Sequence, residues 1–288
     1  MIYKHPLILV ALLFFFSKSL YSQDTYITET DEQLFDAYTT YIAPYQSEQL
    51  ETILEKTAEF FLGTPYIAGT LDQNENERLV INLREMDCVT YIENVLALSL
   101  AVHNHNLSQN AFIDNLRKIR YRNNEIVDYA SRIHYTSDWI VENEKNNLII
   151  NISKELSDKK ETKKIDFMST HRTAYKQLAN DDVMLAKIVE TERIINDRGG
   201  FYYLPKDLIE EKANDIPHLT IIGIVTAIDG LDTSHVGFAY RKNGRLTFIH
   251  ASSARQKVVI DDKTLSEYCL SQKNCKGIIV AKVNDTCN

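Results

Sequence analysis

Ser234-His235-Val236-Gly237-Phe238-Ala239-Tyr240-Arg241-Lys242-Asn243-Gly244-Arg245-Leu246-Thr247-Phe248-Ile249-His250-Ala251-Ser252 holds two β-rich runs joined at Asn243-Gly244, and its reading decides the fold. Asn-Gly between such runs is a strong hairpin signal, because both loop positions of a type I′ turn need positive φ. With these two residues as the loop, Lys242 pairs with Arg245 and opposite residues have numbers summing to 487. His235 then faces Ser252, and His250 faces Gly237. Residues 250 and 252 share a face, so His235 and His250 are diagonal neighbours on one side of the ribbon, about 7–8 Å apart at the backbone. Gly237 leaves the space that an imidazole needs.

Working outward, residues 221–228, 258–260 and 277–283 read as further strands, with a short helix over 264–270. Upstream the periodicity is helical. Leu50, Ile53, Leu54, Ala58, Phe61 and Leu62 lie on one face, and Gly63 with Pro65 ends that helix. Helices are expected over 88–102 and 111–120, and near 174–178 and 183–195, with strand-like runs at 79–83 and 148–152. Residues 24–46 carry little periodicity. Helices come first and strands last, so the expectation is an α+β fold rather than βαβ repetition.

Asp87-Cys88-Val89-Thr90-Tyr91-Ile92-Glu93 begins the helix over 88–102. Asp is a good N-cap, and Val89, Ile92, Leu96 and Leu100 follow at helical spacing. Cys88 therefore falls on the first turn, where unpaired N–H groups and the helix dipole favour thiolate over thiol. A cysteine so placed needs only a histidine to become a nucleophile, and rapid alkylation at neutral pH is expected of it. Buried cysteines are commonly inert; two histidines on one face of the ribbon tip the balance toward chemistry.

The chain has 288 residues, 32 Lys and Arg against 40 Asp and Glu, and a formal net charge of −8. An acidic chain without a basic cluster is a poor candidate for nucleic-acid binding. Lys4 and His5 precede an unbroken apolar run over 7–16, and small residues follow up to Ser22. That is the pattern of a secretory signal, too short for a membrane span of about 20 apolar residues. Residues 1–22 are expected to be removed, leaving an exported chain, periplasmic or extracellular, of residues 23–288. Loss of Lys4 and Lys18 takes the charge from −8 to −10. No cysteine near the cleavage point could carry a lipid anchor. The mature chain is expected to form one catalytic domain, with 216–288 as the sheet core and 103–215 as an elaboration. Cys88, Cys269, Cys275 and Cys287 are too few for a disulfide scaffold, although export permits a local Cys269–Cys275 bond. Neither Cys-x-x-Cys nor His-Glu-x-x-His occurs, so no metal or cofactor is expected.

Pro65-Tyr66, Asp87-Cys88, Ser234-His235-Val236-Gly237 and His250-Ala251-Ser252 together resemble, in that order, the motifs of the NlpC superfamily of bacterial cell-wall cysteine amidases and peptidases. The resemblance implies a papain-like fold, with the cysteine starting a helix packed on an antiparallel sheet. It implies Cys88 as nucleophile, His235 as general base and acid, and His250 as the group that orients His235. Tyr66 matches a tyrosine that lines the substrate site. Ordinary members have Asp-Cys-Ser-Gly at the nucleophile, and a shorter span to the first histidine than the 147 residues here. These departures, with Gly63-Thr64-Pro65-Tyr66 and residues 132–139, are similar to the N-acetylmuramoyl-L-alanine amidase-like branch. That branch implies hydrolysis of the amide between N-acetylmuramic acid and L-alanine in peptidoglycan fragments.

Two other functions fit the same residues: a peptidase cutting after D-glutamate in the stem peptide, and a catalytically silent wall-binding module. In the elaboration, Trp139 offers a flat surface for a sugar ring or lactyl group, and Asp138 could receive hydroxyl or amide N–H groups. A core Trp beside a helix-capping Asp is the alternative for that pair. Glu93 lies more than one helical turn from Cys88 and is expected to be solvated or structural.

Overall fold

Thr28 and Asp31 form a reciprocal capping box that starts α1 (Glu29–Ile42). The computed structural model describes residues 25–286, so the expected signal segment and Cys287 lie outside the described residues. Helix α1 buries Asp31, Phe35, Tyr38 and Ile42. Its inward face begins with a carboxylate, held by Arg84 Nε at 3.0 Å and the Leu83 N–H at 2.9 Å. That polar start hides the helical period of residues 24–46. Next come α2 (Leu50–Phe60), α3 (Cys88–His103), α4 (Gln109–Arg120), α5 (Thr136–Lys145) and α6 (Asp182–Asp197). Gly63 takes a φ of 89°, and its N–H donates to Val258 O at 2.9 Å.

The sheet contains β1 (Ile149–Asn151), β2 (Ile221–Thr226), β3 (Thr233–Lys242), β4 (Arg245–Ser252), β5 (Lys257–Ile260) and β6 (Cys275–Val283). Its order is β5-β4-β3-β2-β6-β1, Leu204–Pro205 adds a short pairing to β6, and every neighbouring pair is antiparallel. The α+β expectation, with an antiparallel sheet, therefore holds. Helix α7 (Leu265–Ser271) lies between β5 and β6.

Helix α3 is buried without a break from Thr90 to Val102. It packs on the sheet face carrying Val225, Val236, Phe238, Ile249 and Ile279, and α2 and α4 flank it. Complete burial of a side chain such as Leu96 or Leu100 contributes about 1.5–3 kcal/mol. The other face carries Ile222, Ile224, Ala239, Phe248 and Val280 against Leu265 and Cys269 of α7. A third cluster, around Met168, Leu178 and Ile188, is drawn from residues 129–195. Among the described residues no helix is long and apolar enough to cross a membrane.

Candidate functional site

Asn243 and Gly244 have φ of 53° and 77°, the two positive values of a type I′ turn. Lys242 pairs with Arg245, and the pairing continues to Phe238–Ile249. There the two strands part, while on its other edge β4 stays paired with β5 through His250, Ala251 and Ser252 opposite Val259, Val258 and Lys257. By the alternation of an antiparallel ladder, the Val236 N–H is directed toward β4 but has no strand partner there. Helix α3 begins at this gap, and the Val236 N–H is aimed at the Cys88 sulfur, together with the N–H groups of Cys88 and Val89. Asp87 caps the helix, accepting from the Val89 and Thr90 N–H groups at 3.1 and 2.8 Å, while its own N–H donates to Thr90 Oγ1 at 2.9 Å. The split in the sheet thus puts the cysteine beside the residue that follows His235.

The two imidazoles, one on the residue before Val236 and the other on β4, meet each other. His235 Nε2 lies 2.6 Å from His250 Nδ1, with the rings nearly perpendicular. A Cβ on Gly237 would sit 2.8 Å from the His250 Cβ, so only glycine admits this approach. Phe248 stacks on His250 at 4.6 Å between centroids, and Tyr268 of α7 stands edge-on to His250 at 5.5 Å. Tyr66 is held by a bond from its N–H to Gln256 O at 3.0 Å. Burial first, and then the nearby Cys88 and Asp87, push its phenol up to about 12.

The protonation states differ from the expectation of a thiolate. Burial, reinforced by the neighbouring Asp87 carboxylate, pushes the Cys88 thiol up to about 12, against smaller opposing contributions from the three N–H groups. Burial pushes His235 down to about 3, with His250 adding to the effect, and pushes His250 down to about 4. Burial thus favours the neutral thiol and the neutral imidazoles. Helix-terminal stabilisation is real, but desolvation outweighs it here.

Asp138 and Trp139 are corrected from substrate contacts to interior residues. Asp138 is fully buried on α5, where Arg122 and Arg198 hold its carboxylate. Trp139 is 2% exposed and packs in the main core. Glu93 is structural: it is buried against Arg120 at 2.7 Å, and Arg120 also donates to Val80 O. Cys269 and Cys275 are free thiols with their side chains in contact, and the bond that export permits is not formed between them. Among the described residues no group of three or more His, Cys, Asp or Glu is arranged to hold a metal ion.

Sequence reasoning missed Phe248, Tyr268 and Asp261 as neighbours of the imidazoles. Asp261 Oδ2 stands 3.6 Å from His250 Nε2. Extending the hairpin register into β5 would have found it, since Asp261 N donates to Phe248 O and so lies across from Phe248. Tyr268 had no such signal, because its place depends on how α7 packs.

A family model described as N-acetylmuramoyl-L-alanine amidase-like matches residues 56–278. The crystal structure of an N-acetylmuramoyl-L-alanine amidase from Bacteroides uniformis is 35% identical, with a TM-score of 0.74 over 82% of this chain and 99% of that one. A Bacteroides fragilis structure, provisionally described as a xylanase, is 36% identical, with a TM-score of 0.75 over 78% and 98%. A Legionella pneumophila protein is 25% identical, with a TM-score of 0.66 over 88% and 95%. Comparison with curated proteins gives no match.

Proposed function

The chain belongs to the N-acetylmuramoyl-L-alanine amidase-like family of hydrolases, and from that premise we propose that it is a cysteine-dependent amidase of papain-like design, exported to act on peptidoglycan fragments. The bond cut is the amide between the lactyl group of N-acetylmuramic acid and L-alanine. The observation that carries this reading is the split between β3 and β4. It sets the Cys88 sulfur on the Val236 N–H, one residue along the chain from His235, which is itself hydrogen-bonded to His250.

In this mechanism the neutral thiol gives its proton to His235 as the sulfur attacks the carbonyl carbon. The Cys88 backbone N–H, at the start of α3, helps to hold the oxyanion. Collapse of the tetrahedral intermediate breaks the C–N bond, and His235 hands the proton to the departing alanine nitrogen. A water molecule, deprotonated by His235, then releases the thioester as a lactyl carboxylate and restores the thiol. His250 holds the His235 ring in place, as an Asp or Asn does in related triads. Tyr66 lines the approach to the sulfur.

Purified protein incubated with defined muropeptides, with products identified by mass, tests the reading. The expected products are the muramoyl sugar with a new carboxylate and an alanine-first peptide. Removing the sugar should remove most activity, because binding energy from the non-reacting sugar positions the scissile amide. Release of L-alanyl-D-glutamate from sugar-free stem peptides would make the chain a stem-peptide peptidase instead. No cleavage of either substrate would leave a binding module.

A further inference from the structure

His250 is 1% exposed, and its Nε2 has no hydrogen-bond partner among the described residues. A buried ring nitrogen left in this way costs about 1–3 kcal/mol, so what stands near it matters. What stands near it is Asp261 Oδ2, at 3.6 Å. The sheet register explains the approach. Val259 is opposite His250, and Asp261, two residues on, is fixed across from Phe248 by its N–H bond to Phe248 O at 2.8 Å. Opposite residues project to the same face, so the carboxylate lies on the imidazole side of the sheet, diagonal to His250. Its other oxygen accepts the Lys263 N–H at 2.9 Å, which leaves Oδ2 turned to the histidine.

We propose that Asp261 is a positioning residue for the reaction: it keeps the proton of His250 on Nε2 and thereby sets the direction of the whole Cys88–His235–His250 line. This inference rests on the cysteine-amidase reading. At 3.6 Å the contact is too long for a hydrogen bond, and it acts as a carboxylate facing one of two possible tautomers. An N–H facing the negative oxygen is favoured, and a lone pair facing it is repelled. With the His250 proton on Nε2, Nδ1 carries the lone pair and must accept from His235 Nε2–H across the 2.6 Å contact. The other His235 nitrogen, Nδ1, is then unprotonated and is the base. With the His250 proton on Nδ1 every direction reverses: His235 Nε2 becomes an acceptor, and the proton of His235 sits on the nitrogen that has to take one up. Catalytic contacts that are long without substrate commonly tighten in the complex. As His235 gains the proton from Cys88, the Asp261 charge behind His250 stabilises the new imidazolium.

The test compares Asp261→Ala and Asp261→Asn with Asp262→Ala, a control at an exposed neighbour paired with Arg255. Nitrogen-15 spectra of histidine-labelled protein report which nitrogen of each ring carries the proton, with no substrate needed. In the wild type, His250, assigned by its loss in His250→Gln, should show a protonated Nε2. Asp261→Ala should move it wholly or partly to the Nδ1–H form, and Asp261→Asn, which keeps an oxygen acceptor, should hold Nε2–H. On muropeptide, Asp261→Ala should lower kcat by about 10- to 100-fold with KM within about twofold, less than the roughly 10⁴-fold loss when the catalytic imidazole itself is left in the wrong tautomer. Asp261→Asn should lose less, and Asp262→Ala nothing. An unchanged His250 tautomer in Asp261→Ala overturns the proposal whether or not the protein cleaves muropeptides. A protein inert on every muropeptide but with the tautomer shift overturns only the amidase reading.

Discussion

Cys88 lies between opposing influences, and their balance is measurable. Three N–H groups favour the thiolate, while burial and Asp87 oppose it and prevail, holding the thiol at about 12. The iodoacetamide rate of Cys88 should therefore climb steadily with pH into the alkaline range. A plateau below about pH 8 would show a preformed ion pair instead. Asp87→Asn keeps an oxygen to cap α3 but removes the charge, so it should raise the alkylation rate at pH 7 several-fold. The histidines should separate by severity. Cys88→Ala should abolish turnover, and His235→Ala should cost about 10²–10⁴-fold in kcat. His250→Ala should leave measurable activity, since orientation is a smaller contribution than proton transfer.

At the scale of elements, α3 is pinned to α4 by the buried Arg120–Glu93 pair at 2.7 Å. Arg120→Ala would strand the Glu93 carboxylate in the core and should cost about 3–5 kcal/mol, read as a large fall in melting temperature. Replacing both partners, Arg120→Met with Glu93→Leu, should recover most of that loss; if it recovers none, the pair is not what fastens the helices. The β3–β4 hairpin was legible in the sequence because Asn243-Gly244 is a local signal and register follows from it by counting. The parting of the strands beyond Phe238 was not legible, since no local signal in the sequence marks where the ladder ends. Helix α1 was hidden because Asp31 takes a buried position, matched by Arg84 far along the chain. Asp138 misled for the same reason: Arg122 and Arg198 neutralise it from other segments. A sequence shows a buried charge as an exposed one unless its partners are adjacent.

Across the molecule, several imidazoles are held neutral by burial, and together they set how the fold responds to acid. Burial pushes His134 and His235 down to about 3 and His250 to about 4, and His218 is lowered as well. Above the ordinary histidine value of 6.5 both folded and unfolded chains are unprotonated, so these groups then contribute no difference. Below it the unfolded chain binds protons that the folded chain refuses. Stability therefore falls as pH drops through 6.5, and goes on falling until about 3–4, by up to about 1.4 kcal/mol per pH unit for each imidazole. Glu77, Glu93 and Asp232 act in the opposite sense, because burial raises them and the folded form takes up their protons first. Three of the imidazoles are displaced to about 3–4, so the expected direction between pH 6.5 and 5.5 is a loss of stability. The melting temperature should decline steeply across that interval. His134→Gln removes one such group outside the catalytic pair, where the ring bonds Tyr129 O at 2.8 Å. It should flatten the decline by close to one proton's worth of slope. A wild-type melting temperature that stays level from pH 6.5 to 5.5 would mean that these rings take up protons in the fold as readily as in water.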